Sequence, residues 1–317
     1  MADKAMRMAR AGASRPRPVM VAIAGDSAAG KTTLTRGLVE ALGPQRCASL
    51  CVDDYHRYDR VERRGLPFTA LHPDCNHLDI MEQHLQLLAT GQPVLKPVYD
   101  HATGLLTRPE RVEPREFMIV EGLFPLHSRL ARACFDVTVF LDPAEDVRRA
   151  WKLARDTASR GYSAAQVLAE LQRREPDSAA YVRPQRRHAD IVVRFAPIPV
   201  RDDPPGTPLS AELLLRPTIR HPDLSAVLAQ AAPAEGLRTM HLKLARDTDG
   251  RPVDTLHVHG YVPTEESRTL QKIIWAQLDE PGEVPESLGL LGGSGARSEP
   301  LAITQLLLLH HVLEAGR

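Results

Sequence analysis

The chain has 317 residues, 43% hydrophobic and 25% charged, with 40 Lys and Arg balanced by 40 Asp and Glu. This composition excludes a mainly disordered chain, and the charge balance excludes a global pull toward nucleic acid or an anionic membrane, so local basic clusters must carry any anion recognition. No apolar run reaches the roughly 18 residues of a membrane span, and residues 1–18 are basic without an apolar signal core, so a flexible tail on a cytoplasmic protein is expected.

The first element is an apolar run from Val19 to Ala24 that leads into Gly25, Asp26, Ser27, Ala28, Ala29, Gly30, Lys31, Thr32 and Thr33, then an amphipathic helix with Leu34, Leu38 and Leu42. G-x-x-x-x-G-K-T between a strand and a helix is a P-loop: glycines let backbone N–H groups converge on phosphate oxygens at a helix N-terminus. Lys31 then neutralises the outer phosphates and the Thr32 hydroxyl serves Mg²⁺. A nucleoside triphosphate is the expected ligand.

Further along, Cys47–Val52 reads as a strand ending at Asp53 and Asp54, and 78–89 as an amphipathic helix stopped by Gly91. Phe117–Val120 is a buried strand ending at Glu121-Gly122, and Val137–Leu141 is another, after which Pro143 opens a helix to about Ser159. Ser163 caps a helix through Arg174, and Ala189–Val193 is a further strand. Residues 197–208, rich in proline, read as a linker or edge loop. Beyond it, strands near Leu213–Leu215 and Leu256–Val262, helices near 265–277 and 302–314, and a mobile loop at Gly289–Gly295 are expected. Strands alternating with helices predict a mainly parallel α/β sheet with an α+β extension, divided as tail 1–18, core 19–197 and extension 198–317.

In such a sheet the ligand crevice lies at the carboxyl ends of the strands, where Asp53 and Glu121 stand. A carboxylate there holds Mg²⁺ or takes the proton of an attacking hydroxyl; an acid capping a turn is the alternative. His56, Arg60 and Arg64 are spaced by four, so on a helix they would share a face and clamp a second phosphate. A solvated basic surface is the alternative there. The four cysteines, Cys47, Cys51, Cys75 and Cys134, match neither a zinc knuckle nor a secreted disulfide framework, so buried thiols are expected.

Val52-Asp53-Asp54-Tyr55-His56, the run from Lys96 to Gly104, Glu121-Gly122-Leu123, Trp151-Lys152, Arg155-Asp156, Arg160-Gly161 and Pro184-Gln185, with the P-loop, resemble the phosphoribulokinase family in its cyanobacterial and plant form. The resemblance runs from about Val19 to Val193. It implies an adenylate-kinase-like fold that binds ATP and Mg²⁺ and phosphorylates ribulose 5-phosphate at its C1 hydroxyl. Asp53 would be the base, His56, Arg60 and Arg64 would contact the sugar phosphate, and Tyr99 and His101 would line the sugar pocket. Glu121 would serve the metal with Thr32 and Asp53. Asp156 would be a second acid, and Arg155 and Arg160 would come from a lid over ATP. A homodimer is expected, with the C-terminal region widening the sheet or forming the dimer contact.

Departures from that pattern are visible. Phe124 stands where His is usual and Asp100 where Asn is usual, which puts sugar selectivity in question. Cys51 occupies a regulatory cysteine's place, but its partner position is Ala29 and no cysteine follows Cys134, so neither a thioredoxin-switched disulfide nor a redox-dependent dehydrogenase complex is expected. A uridine or cytidine kinase and a non-catalytic ATP-binding regulator remain the alternatives.

Overall fold

The computed structural model describes residues 17–198, 208–231, 238–292 and 295–317. Most of the predicted tail and of the 197–208 linker lies outside these residues. Strand β1 (Val19–Gly25) is buried throughout. Its Val19, Val21 and Ile23 pack with Leu34 and Leu38 of helix α1 (Lys31–Leu42), while Met20 on the opposite face joins a second cluster. Burial on both faces is what a central parallel strand requires, and it explains the run's unbroken hydrophobicity.

Strands β2 (Cys47–Cys51), β5 (Phe117–Gly122), β6 (Val137–Leu141) and β7 (Ile191–Ala196) complete a parallel core in the order β2-β5-β1-β6-β7. Each predicted core strand is present. The sheet then changes sense: β8 (Ser210–Leu215) pairs antiparallel with β7, β10 (Pro252–Val258) with β8, and β9 (Met240–Arg246) with β10. The result is one eight-stranded sheet among the described residues. A separate antiparallel hairpin, β3 (Val94–Asp100) and β4 (Leu105–Val112), packs against the turn that follows β2.

The other helices are α2 (Leu78–Ala89), α3 (Arg129–Arg132), α4 (Glu145–Ser159), α5 (Ala164–Asp177), α6 (Ser225–Gln230), α7 (Thr264–Gln277) and α8 (Glu299–Gly316). Helix α4 begins two residues after Pro143, with Ala144 as its N-cap. Ser163 caps α5 as expected, accepting from the Gln166 N–H while the Gln166 side chain accepts from the Ser163 N–H. Helix α8 is apolar almost all round because it lies on β1, β6 and β8 between α1 and α7. Among the described residues no helix is long and apolar enough to cross a membrane.

One expectation is corrected. The strand expected at 256–262 ends at Val258, and its chain continues into a turn with the His259 N–H on the Thr239 carbonyl. Of the loop expected to be mobile at 289–295, residues 293–294 lie outside the described residues; at its described ends Gly289 N–H donates to Gln305 Oε1 at 2.7 Å, and Leu290 and Arg297 form a bridge.

Candidate active site

The P-loop runs from the end of β1 into α1, and its turn uses positive φ at Ala28 (63°) and Gly30 (95°). Lys31 is buried, and its Nζ donates to the Gly25 and Asp26 carbonyls at 2.9 Å each. Asp26 lies beneath the loop, where its carboxylate accepts from the Ser178 hydroxyl and the Ser27 N–H and faces Arg148 at 3.5 Å. Arg148 also donates to the Ser27 carbonyl at 3.1 Å. Gly25 and Asp26 therefore shape the loop from below, whereas Ser27, Ala28, Ala29, Gly30, Lys31, Thr32 and Thr33 line a cleft of 1390 Å³. The backbone N–H groups at the start of α1 fit a polyphosphate.

The parallel register pairs Glu121 with Ile23 and Cys51, and its Oε2 accepts from the Thr32 hydroxyl at 3.2 Å. Burial lifts the Glu121 carboxyl to about 7; Lys31 opposes the rise and Asp53 adds to it. Asp53, on the 3-10 turn Val52–Tyr55 after β2, accepts the Leu123 N–H at Oδ1, 2.7 Å away. A buried carboxylate whose ionisation its carboxylate neighbour opposes, beside a hydroxyl, is an oxygen-donor set that suits Mg²⁺.

The next stretch departs from the expected helix face. The chain from His56 is extended and bridges to Asn76, and the only helical turn is the 3-10 segment Glu62–Gly65, so His56, Arg60 and Arg64 do not stack on one face. All three still line the cleft. His56 Nδ1–H donates to Asn76 Oδ1 at 2.7 Å, and burial pushes the ring's pKa down to about 3, so it serves as a neutral ring rather than a cation. Arg60 donates to the His101 and Ala102 carbonyls, holding the hairpin.

Arg63, which the spacing by four does not select, lines the cleft beside them: it donates to the Tyr99 hydroxyl at 2.5 Å, and its Nη1 is buried without a protein partner. Alternation within the basic run hid it, because helical spacing selects Arg60 and Arg64. Tyr99 and His101 arrive on the β3–β4 hairpin and pack edge to face, 5.0 Å apart, with His56 4.8 Å from Tyr99. The hairpin is fixed by a buried ion pair between Lys96 and Asp54, two motif residues to which the sequence assigned no individual role.

Helices α4 and α5 bring the opposite wall. Asp156 bonds Lys152 and Arg155 at 2.8 Å each and faces Arg160 at 3.5 Å. Burial alone would raise the Asp156 carboxyl, but the bonds from Arg155 and Lys152 outweigh it and hold it down to about 2. Asp156 is thus the anchor that aims Arg155 and Arg160, and Arg155 Nη2 is itself buried without a protein partner. Arg173 and Arg174 of α5 also line the cleft.

Phe124 and Asp100 lie elsewhere. Phe124 packs in the apolar cluster with Met118 and Val120, and Asp100 organises the hairpin turn through Ala102 N–H and the Thr103 hydroxyl. Neither lines the cleft. All four cysteines are free thiols.

The sequence model described as "Phosphoribulokinase / Uridine kinase family" matches residues 20–200, more than half of the chain. A phosphoribulokinase of Synechocystis sp. is 38% identical over 204 residues, covering 64% of this chain and 61% of that protein. A uridine kinase of Chloroflexus aurantiacus is 33% identical over 180 residues, covering 55% of this chain and 86% of that protein. The chain therefore spans about three-fifths of the Synechocystis relative's length. Among solved structures, phosphoribulokinase from Rhodobacter spheroides superposes with a TM-score of 0.60 at 16% identity, covering 83% of this chain and 96% of that one. That likeness is one of fold, and at 83% of the chain it extends past residue 200. A P-loop on β1, acids at the ends of β2 and β5 and a match running through all of them leave one assignment: this chain belongs to the phosphoribulokinase / uridine kinase family.

Proposed function

We propose that the chain is an ATP-dependent kinase that transfers the γ-phosphoryl group of ATP to the C1 hydroxyl of ribulose 5-phosphate. One observation carries the acceptor's class: Arg63 and Arg155 each keep a buried guanidinium nitrogen without a protein partner in the same cleft. A buried unpaired guanidinium donor is costly, and a phosphate supplies the missing acceptor. Arg155 lies on α4, next to Trp151 near the P-loop, and fits the nucleotide; Arg63, bonded to Tyr99, fits the phosphate of a second substrate.

Asp53 takes the proton of the attacking hydroxyl, its other oxygen steadied by the Leu123 N–H. Thr32, Glu121 and Asp53 would hold Mg²⁺, which when bound offsets charge on the phosphate oxygens. Lys31 balances the transferred group, and Arg155 and Arg160 exclude water as α4 and α5 cover the site. His56, Arg64, Tyr99 and His101 shape the sugar pocket, with Asp156 as the anchor of Arg155.

The extent of the uridine kinase match favours a nucleoside as the second reading. ADP release with Mg·ATP, measured against ribulose 5-phosphate, ribose 5-phosphate and uridine, separates them. Turnover is expected with ribulose 5-phosphate alone, and Asp53→Asn should lose about 10²- to 10⁴-fold in kcat. Turnover on uridine, or an unaffected Asp53→Asn, would overturn the proposal.

A further inference from the structure

We propose that Cys51, Asp54 and His101 form a binding site for a thiophilic divalent cation, Zn²⁺, distinct from the oxygen-donor set at Thr32 and Glu121. The Cys51 Sγ, an Asp54 carboxylate oxygen and a His101 ring nitrogen lie within 4.8 Å of one another. Among the described residues no other three Cys, His, Asp or Glu side chains converge this closely. They come from three segments: the end of β2, the 3-10 turn after it, and the turn that follows β3.

Ligands on tetrahedral Zn²⁺, with bonds of about 2.0–2.3 Å, stand roughly 3.5 Å apart, so the three atoms need close by only about an ångström. His101 can make that adjustment because it lies at the hairpin's end. The Asp54 carboxylate is already oriented, with Lys96 on Oδ2 and the Tyr99 N–H 3.3 Å from Oδ1. Three protein ligands leave a fourth position for water, and a thiol with an imidazole selects Zn²⁺ over Mg²⁺, which demands six oxygens. On binding, the Cys51 thiol releases its proton to solvent as the sulfur–metal bond forms, so the uptake of one cation releases one proton.

Cys51 pairs in register with Glu121 and stands two residues before Asp53, so an occupied site puts a second dication against both acids. Inhibition by Zn²⁺ follows, a consequence that rests on the kinase reading; the binding itself does not.

The test therefore reads the metal directly. The full-length chain, stripped with a chelator, is titrated with Co²⁺ as a spectroscopic stand-in for Zn²⁺. One equivalent should produce a thiolate-to-cobalt absorption band that Zn²⁺ bleaches. Cys51→Ala should abolish the band, Cys134→Ala should retain it, and His101→Gln, made on a turn, should weaken binding by at least about tenfold. Absence of the band in the wild type, or its persistence in Cys51→Ala, would overturn the proposal.

Discussion

At the scale of single residues, the site is built by neighbours that change what a side chain is. Glu121 reads in the sequence as an ordinary strand-end acid, but burial beside Asp53 lifts its carboxyl from 4.5 to about 7. Because the folded value exceeds the unfolded one, the folded chain binds the extra proton between those values and loses stability as pH rises through them. A bound dication competes with that proton. The wild-type melting temperature minus that of Glu121→Gln, both without Mg²⁺, should therefore fall from pH 5 to pH 7.5, a difference that cancels the opposite trend of the buried histidines, whose lowered pKa values favour higher pH. Mg²⁺ should raise the wild type most at the higher pH, and Glu121→Gln should weaken Mg²⁺ by about 10- to 100-fold. A wild-type minus Glu121→Gln difference that does not change with pH would show that Glu121 titrates normally. The same dependence on neighbours hid the neutral state of His56, since the burial that pushes its pKa down, against the opposing bond to Asn76 twenty positions away, comes from segments that meet only in the fold.

At the scale of elements, the P-loop helix is held by a residue from the far end of the chain. Gln305 on α8 is fully buried; its Nε2 donates to the Thr33 and Leu34 carbonyls at 3.3 Å each and its Oε1 accepts from Gly289. Gly37 makes the approach feasible, as a Cβ there would meet Gln305 Nε2 at 2.1 Å. Gly37→Ala should displace that amide and strand buried polar groups, at a cost of about 1–3 kcal/mol in urea unfolding. A loss below about 0.5 kcal/mol would mean that Gln305 moves aside freely. Helices α1, α2, α4, α5, α7 and α8 were legible because their periodicity and caps are local. The β3–β4 hairpin was not: β4 is exposed along almost its whole length and carries Arg108, Pro109, Glu110 and Arg111, so it offers no buried face to read.

At the scale of the whole molecule, the sheet is continuous from β2 to β9, and the antiparallel strands shield the β7 edge while α8 covers β1 and β6. Buried Arg216 ties β8 to the body, sharing Asp247 with Arg186. Removing residues 199–317 should expose that edge and the apolar face beneath α8, giving an aggregated product on size-exclusion chromatography. A soluble, cooperatively unfolding fragment 1–198 would show that the parallel core stands alone. By itself the sequence determined the P-loop, the order of the parallel strands' acids and the family, because glycine spacing, strand-end carboxylates and helix caps act within a few residues. Only the tertiary structure decided that Arg63, which even spacing does not select, joins Arg60 and Arg64 at the cleft, that Asp156 pairs with Lys152, Arg155 and Arg160, and that Cys51, Asp54 and His101 meet. Those outcomes depend on which distant segments pack together, and burial and charge at a contact arise only after the chain has closed on itself.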